Sequence, residues 1–482
     1  MRFLAVQRVL AGVIALAGFI MLPPIVLSFL FEDGIAWVFG ETLMIALGLA
    51  LLLWLPARRA PQELRVRDGF MVVTLAAIAV SAICALPFAW GPTALSWTRA
   101  YFEAASGLTT TGATMLTGLD DMPRSLLMYR QLLCFVGGMG AVILAVAVLP
   151  ALRIGGSQLF RSEMTGPVQE ARLTPRIAET ARSLWRVYFG LNLLCALAYW
   201  SGGMSLFDAV GHAFSTVATG AFSTHDQNFG YFHSALLQLI ATVFMFAGAL
   251  NFSLHHLALR RGSLAAYFHD SEVRALLGFA VAASAAVALA LYATDTIPRF
   301  PRALREALFT SVSFLTTTGY VAKDYSLWPG FVPQLLIVLA FVGGCSGSTT
   351  GGLKAARVVL LFRQGAREIL QLVHPRGRFL VKLGGLNVPG SVLAAVTGFC
   401  TFYGICYVVM SMAVSSTGVD TVTAWSAVAS CLNNLGPALG GATHDYLGMN
   451  ALATWILSFA MILGRLEVFT LLVLLTPAFW RE

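Results

Sequence analysis

The sequence predicts an all-α polytopic membrane protein: an N-terminal two-helix segment, then four pseudo-symmetric repeats about one axis, each a spanning helix, a re-entrant helix and a second spanning helix. Three observations predict it. The 482-residue chain is 58% hydrophobic and 11% charged, against roughly 25% charged in a soluble domain. Its basic residues gather in alternate loops. A glycine-anchored pattern returns four times along the chain.

The first element is the stretch "MRFLAVQRVLAGVIALAGFIMLPPIVLSFL". Its apolar run is longer than a secretory signal core and no small-x-small cleavage site follows, so it reads as a retained helix. Residues 1–60 hold two helices outside the repeat. Runs such as "LMIALGLALLLWL" at 43–55 and "MVVTLAAIAVSAICALPFAW" at 71–90 match the length of about 20 apolar residues that a bilayer crossing needs.

Orientation follows from charge. Arg58, Arg59, Arg65 and Arg67 occupy one loop; Arg153, Arg161, Arg172, Arg176, Arg182 and Arg186 a second; Arg260, Arg261 and Arg274 a third. Lys354, Arg357, Arg363, Arg367, Arg376, Arg378 and Lys382 occupy a fourth. With Arg2, Arg8 and Arg481, 23 of the 31 basic residues fall on one side. The positive-inside bias makes that side cytoplasmic and puts both termini there. The net charge of +8 is therefore topological and does not mark a nucleic-acid binder. The seven cysteines lie in apolar stretches with no CxxC pair and read as small core residues, not disulfides or zinc ligands.

The repeat emerges from two near-identical segments, "AYFEAASGLTTTG" ending at Gly112 and "ALFTSVSFLTTTG" ending at Gly319. Matching frames are "DAVGHAFSTVATG", ending at Gly220, and "AWSAVASCLNNLG", ending at Gly436. Downstream glycines at Gly137, Gly248, Gly343 and Gly464 follow their anchors by 25, 28, 24 and 28 residues. Boundaries fall at 61–152, 153–262, 263–382 and 383–482. First spanning helices are expected near 70–90, 184–204, 273–293 and 391–415, and second ones near 125–150, 232–258, 331–370 and 449–478. The segment before each anchor has about a dozen residues; at ~1.5 Å per residue it reaches halfway through a ~30 Å core and must turn back.

Irregular backbone at that depth survives where protein or water satisfies it. Four such loops satisfy the condition together around one aqueous axis, a central pore in which their carbonyls replace a cation's hydration shell. Glycine adopts the backbone angles such a turn needs. Threonine supplies a hydroxyl that ligates or braces, on a stiff branched body. The competing reading is that Gly and Thr merely let helices pack closely.

On "GLTTTGAT", "STVATGAFSTHD", "FLTTTGY" and "CLNNLGPALGG", the chain resembles the Trk/Ktr/HKT superfamily of potassium transporters, bacterial TrkH/TrkG branch, over nearly its whole length. The resemblance implies potassium uptake through four filters in one subunit, with filter glycines at Gly112, Gly220, Gly319 and Gly436. The potassium-binding filter it marks is Thr110, Thr111 and Gly112; Ala218, Thr219, Gly220 and Ala221; Thr317, Thr318 and Gly319; and Asn434, Leu435 and Gly436. In related plant proteins a serine at the first position goes with sodium transport; Gly112 favours potassium. A sodium-conducting or potassium–proton symporting relative and, more distantly, a polytopic membrane enzyme stay open as alternatives.

The stretch "GGCSGSTTGGLK" at 343–354 carries five glycines and four hydroxyl residues where the other repeats continue apolar. At about 1 kcal/mol of lost helix propensity per glycine, a kink or loop is expected in the second helix of the third repeat; a small-residue packing face is the alternative. The resemblance implies an intramembrane gate formed by Gly344, Cys345, Ser346, Gly347, Ser348, Thr349, Thr350 and Gly351. Thr350 stands where the usual form has a glycine. Arg465 lies inside the apolar run "FAMILGRLEVFTLLVLL", where a charge costs about 2.5–3.5 kcal/mol on insertion scales. Glu467, two residues on, points elsewhere on a helix. The resemblance implies that Arg465 projects into the pore as an electrostatic barrier; a structural salt bridge to another repeat is the alternative.

Asp120, Asp226, Asp324 and Asp445 each follow an anchor glycine within nine residues. They form either an acidic ring at the outer mouth, which concentrates cations, or ordinary loop acids and caps. His212, His225, His255 and His256 show no metal-ligand spacing, and His212 reads as a packed residue of the second re-entrant helix. No nucleophile elbow, phosphate loop or paired carboxylates sit in a loop that could host catalysis. The expectation is therefore no enzyme and no cofactor bound by this chain, with K+ as substrate. The resemblance further implies a homodimer, and a cytosolic nucleotide-binding regulatory subunit of the TrkA type on the inner face of the bacterial inner membrane.

Overall fold

In a computed structural model of the chain, residues 3–60, 65–144 and 173–481 are described. Arg153, Arg161 and Arg172, the end of the helix expected to reach 150, and the boundary at 152–153 lie outside them. Among the described residues six helices are long and apolar enough to cross a membrane, and two bent pairs bring the number to eight.

One order of elements recurs four times. Long helices Val66–Trp90, Leu173–Ser201, Ser271–Ala293 and Gly390–Ser415 each precede a short helix: Trp97–Leu108, Leu206–Ala218, Phe300–Leu315 and Thr421–Leu432. An irregular stretch follows, then Arg124–Ile143, Ala235–Gly248, Val332–Val342 and Ala451–Arg465. The starts of the short helices are written locally. The Ser205 side chain accepts from the Asp208 amide and Asp420 accepts from that of Thr423, each satisfying an orphan donor of the first turn. In Phe300–Leu315 a proline stands at the start, where its missing N–H costs nothing.

Burial is inverted relative to a soluble protein. From Ala100 to Gly107 every residue of the first short helix is buried, its Ala, Ser and Gly side chains allowing close backbone approach. Leu193, Leu194 and Leu197 of the long helix Leu173–Ser201 are instead exposed, an outward apolar surface suited to lipid.

Four features differ from the sequence expectation. The first N-terminal span, Phe3–Phe31, carries a short interruption between Phe19 and Leu22, with proline in the first turn of the second piece. The second helices of repeats two and four, expected to run on, are broken as well: Ala235–Gly248 meets Phe252–Arg261 at 98°, and Ala451–Arg465 meets Phe469–Leu475 at 106°. In the former, Asn251 leaves the helix to cap the next one, accepting from the Ser253 amide; in the latter, Glu467 and Val468 take left-handed backbone (φ 54° and 43°). Lastly, the basic connector 354–390 contains a small antiparallel hairpin, Lys382–Leu383 with Leu386–Asn387, turned by Gly384 and Gly385 at positive φ.

Candidate functional site

The four short helices end in one backbone motif. The amide of Thr111 donates to the Ser106 carbonyl (2.8 Å), Gly220 to Ser215 (2.8 Å), Thr318 to Ser313 (2.9 Å) and Leu435 to Ser430 (2.9 Å). Four residues after each serine the chain turns left-handed, at Thr110 (φ 54°), Thr219 (55°), Thr317 (51°) and Asn434 (53°). Six residues after it stand Gly112 (φ 79°), Gly319 (77°), Gly436 (105°) and, in repeat two, Ala221. The hydrogen bonds thus move the second frame by one residue: Gly220 matches Thr111, Thr318 and Leu435, and Ala221 matches the three glycines. The serine was the signal in the sequence; anchoring on the nearest glycine hid it.

The four ends converge. A Cβ on Gly319 would lie 1.9 Å from the Leu435 carbonyl oxygen, one on Gly436 2.6 Å from the Thr111 oxygen, and one on Gly112 2.4 Å from the Ala221 amide nitrogen. No side chain fits there, which supplies the physical reason for glycine. Beside this ring opens a cavity of about 620 Å³ lined by Gly112, Ala221, Gly319 and Gly436.

Threonine has two duties. In repeat one, Thr109 Oγ1 donates to the Ala105 carbonyl (2.7 Å) and lies 2.7 Å from Thr111 Oγ1. In repeat three, Thr316 repeats this with Val312 (2.8 Å) and Thr318 (2.8 Å). The middle threonine makes the left-handed turn. Repeat four substitutes amides: Asn433 Nδ2 donates to Ala429 O (2.8 Å) and Asn434 Nδ2 to Thr111 Oγ1 (3.0 Å).

The downstream glycines are explained by close approach. A Cβ on Gly137, Gly248 or Gly464 would come within 2.2, 2.8 or 1.9 Å of the carbonyl oxygens of Leu108, Val217 and Leu432, equivalent positions in the last turn of each short helix. Gly343 departs from the pattern. Its helix stops at Val342, and Gly343 turns left-handed (φ 68°) into the loop 343–354.

That loop is stitched in place. Cys345 N donates to Ala249 O (2.8 Å) and Phe252 N to Gly347 O (3.1 Å), tying it to the break in repeat two. Ser346 binds Glu272 through its amide and hydroxyl, both 2.9 Å. Thr349 Oγ1 contacts Val217 O and Gly248 O, both 3.0 Å, and Gly351 N donates to Thr317 Oγ1 (2.8 Å). Thr350 Oγ1 accepts from Gly344 N (3.0 Å) and lies 2.8 Å from Ser348 Oγ, closing the loop on itself. Arg465 Nη1 donates to Thr349 O (2.7 Å) and its Nη2 reaches Gly137 O (3.4 Å). The arginine therefore faces the loop, bound to carbonyls and, among the described residues, to no carboxylate.

Sequence reasoning missed several charges. Arg130, buried, pairs with buried Glu103 (2.9 Å), donates to Ser223 O (3.1 Å) and sits 4.2 Å from the Phe222 ring centre. Glu103 in turn accepts from Met115 N (2.8 Å), so one ion pair props the stretches beyond the first and second turns. Arg357 pairs with Glu467 (2.5 Å), joining the helix after the third break to the fourth break. The ammonium of buried Lys354 donates to Thr350 O and Thr350 Oγ1. Glu467 does not pair with Arg465, but the reason is the helix break in which it lies and not a helical face; nothing local pointed to Arg357.

Of the four predicted acids, Asp226, Asp324 and Asp445 line the outer cavity; Asp120 does not. All are engaged. Asp226 accepts from Gly118 N and Leu119 N, Asp324 from Ser326 N, Asp445 from Leu447 N, and Asp120 contacts His225 Nδ1. His212 packs inside, its Nδ1 2.9 Å from Asp208 O and its Nε2 3.0 Å from Ser223 Oγ. Burial pulls the His225 ring pKa down, but Asp208 and Asp120 outweigh it and leave the value raised. The sign follows: the charged ring contributes stability fully below the unfolded value of about 6.5, and loses it as pH rises through the raised folded value. The difference in thermal midpoint between the wild type and His225→Gln is expected to be largest near pH 6 and to shrink toward pH 9. A difference independent of pH refutes the assignment.

Four short helices whose irregular ends converge beside a polar cavity in a multi-pass membrane protein are the architecture of a transport protein. The comparisons agree. The cation transport protein family TrkH matches residues 36–481. A Trk system potassium uptake protein TrkH of Halomonas elongata is 48% identical over 99% of both chains, and one of Escherichia coli K12 is 44% identical over 100% of both. The crystal structure of the potassium transporter TrkH from Vibrio parahaemolyticus superposes with a TM-score of 0.93 at 42% identity, covering 100% of both chains. The chain belongs to the TrkH family.

Proposed function

We propose that the protein takes up potassium through the ring formed where the four short helices end. The carrying observation is the convergence of Gly112, Ala221, Gly319 and Gly436 within touching distance under one outer cavity. Carbonyls of Thr110, Thr111, Ala218, Thr219, Gly220, Thr317, Thr318, Asn434 and Leu435 precede that ring and form the coordinating column. The anion-poor, carbonyl-rich lining suits a weakly hydrated monovalent cation. A serine at Gly112 would drive its Cβ into Ala221, so this ring takes glycine there, the residue that the family resemblance associates with potassium.

The loop from Gly344 to Gly351 and Arg465 form the gate, supported by the Arg465–Thr349 hydrogen bond. The outer acids enrich cations while holding their own loops. The repeats divide at 61–152, 153–262, 263–382 and 383–482. The protein works as a homodimer in the bacterial inner membrane, termini inside. A nucleotide-binding regulator of the TrkA type docks on the basic inner face, and nucleotide acts only through it.

Purified protein in liposomes is expected to take up rubidium down a potassium gradient, with excess potassium competing and excess sodium not. Uptake blocked equally by both ions, or none at all, overturns the proposal.

A further inference from the structure

The second turn departs from the other three at one atom. Ala221 occupies the position of Gly112, Gly319 and Gly436 in the shared hydrogen-bond frame, yet it is not among the residues with positive φ, whereas all three glycines are. Its backbone is therefore rotated away from theirs, and its methyl group is the side chain at that level of the ring.

The methyl points to the middle. A Cβ built on Gly112 would lie 2.4 Å from the Ala221 Cβ, one on Gly319 2.9 Å from it and one on Gly436 3.0 Å. Each of those points is one bond of about 1.5 Å from its own α-carbon. The methyl thus sits in van der Waals range of the α-carbons of all three other turns. A group on one quarter of a ring reaches the other three together only near the axis. Carbon atoms in contact stand about 3.5–4.0 Å apart, so a cation cannot share that space.

We propose that the Ala221 methyl is the steric constriction of the outer filter ring and sets which alkali ions pass and how fast. Passage of each ion requires the stretch at Ala221 to swing aside, and the larger the ion the larger the swing. This rests on the reading of the ring as the potassium path. Glycine there would restore four equivalent turns, while any larger side chain would deepen the block.

The test is a size series in liposomes, with rubidium and caesium uptake measured separately for the wild type, Ala221→Gly and Ala221→Val. Ala221→Gly is expected to raise rubidium uptake about threefold or more, and caesium uptake by a larger factor, so that the caesium-to-rubidium ratio increases. Ala221→Val is expected to lower both, caesium more. A merely structural role would change total flux without changing the ratio. If Ala221→Gly leaves the ratio at or below that of the wild type, the constriction is refuted even though rubidium still enters. If the wild type moves no rubidium, the potassium path itself fails instead. Should Ala221→Val not fold, the glycine variant decides alone.

Discussion

Gly319→Ala is expected to lower rubidium uptake by about 100-fold or more while the protein still folds and reconstitutes. Two effects combine. The position is left-handed (φ 77°), which strains any residue with a Cβ by about 1–3 kcal/mol. The new methyl would also lie 1.9 Å from the Leu435 carbonyl oxygen and 2.7 Å from Pro437; that oxygen must turn away, removing one wall of the coordinating column. The strain costs stability wherever the residue lies, while the loss of flux follows from the displaced carbonyl, about tenfold for every 1.4 kcal/mol of coordination lost. Gly330→Ala separates the two effects. Gly330 is equally left-handed (φ 61°) but meets nothing within 4 Å, so its substitution carries strain without collision. Normal uptake by Gly319→Ala would remove the ring from the ion path, and equal losses in both variants would reduce the effect to strain.

Arg465→Ala is expected to raise uptake by about 10- to 100-fold. Its guanidinium holds the loop 343–354 by the Thr349 carbonyl and reaches toward Gly137. Hydrogen bonds from charged groups contribute about 1.5–3 kcal/mol, and losing that shifts a closed–open balance by the stated factor. On the proposed path, removal of the positive charge would also lower the electrostatic barrier to a cation. Shortening the loop between Cys345 and Gly351 should act in the same direction. Unchanged flux in both variants would dismiss the gate.

Much of this was legible in the sequence because membrane burial writes long periods. Apolar runs of bilayer length, basic loops on one side and the reiterated Thr-Thr-Thr-Gly are local and repeated, and they led to the helices and to three of the four turns. The turn of repeat two was misframed by one residue because Gly220 stands beside the true equivalent, Ala221. Where a glycine is placed by its contacts, adjacency is not equivalence, and the preceding serine, whose carbonyl takes the closing hydrogen bond, was the better anchor. The breaks at Ala249–Asn251 and Leu466–Val468 escaped because neither is glycine-rich; the capping Asn251 and the charges Arg465 and Glu467 inside apolar runs were the available signals. The pairs Glu103–Arg130 and Arg357–Glu467 join residues 27 and 110 apart in sequence, and only the folded chain brings them together.

The braced threonines carry one last consequence. The hydroxyls of Thr111 and Thr318 are engaged by Thr109, Asn434 and Thr316, so they brace the turns, while Thr110 Oγ1 and Asn434 Oδ1 make no hydrogen bond among the described residues. The tethered threonines act on the rigidity of the turns. Replacing Thr109 or Thr316 by valine, which keeps the shape and deletes the tether, should blur discrimination between ions of different radius before it diminishes throughput. A selectivity built this way tolerates drift in composition nearby, provided the scaffold stays stiff.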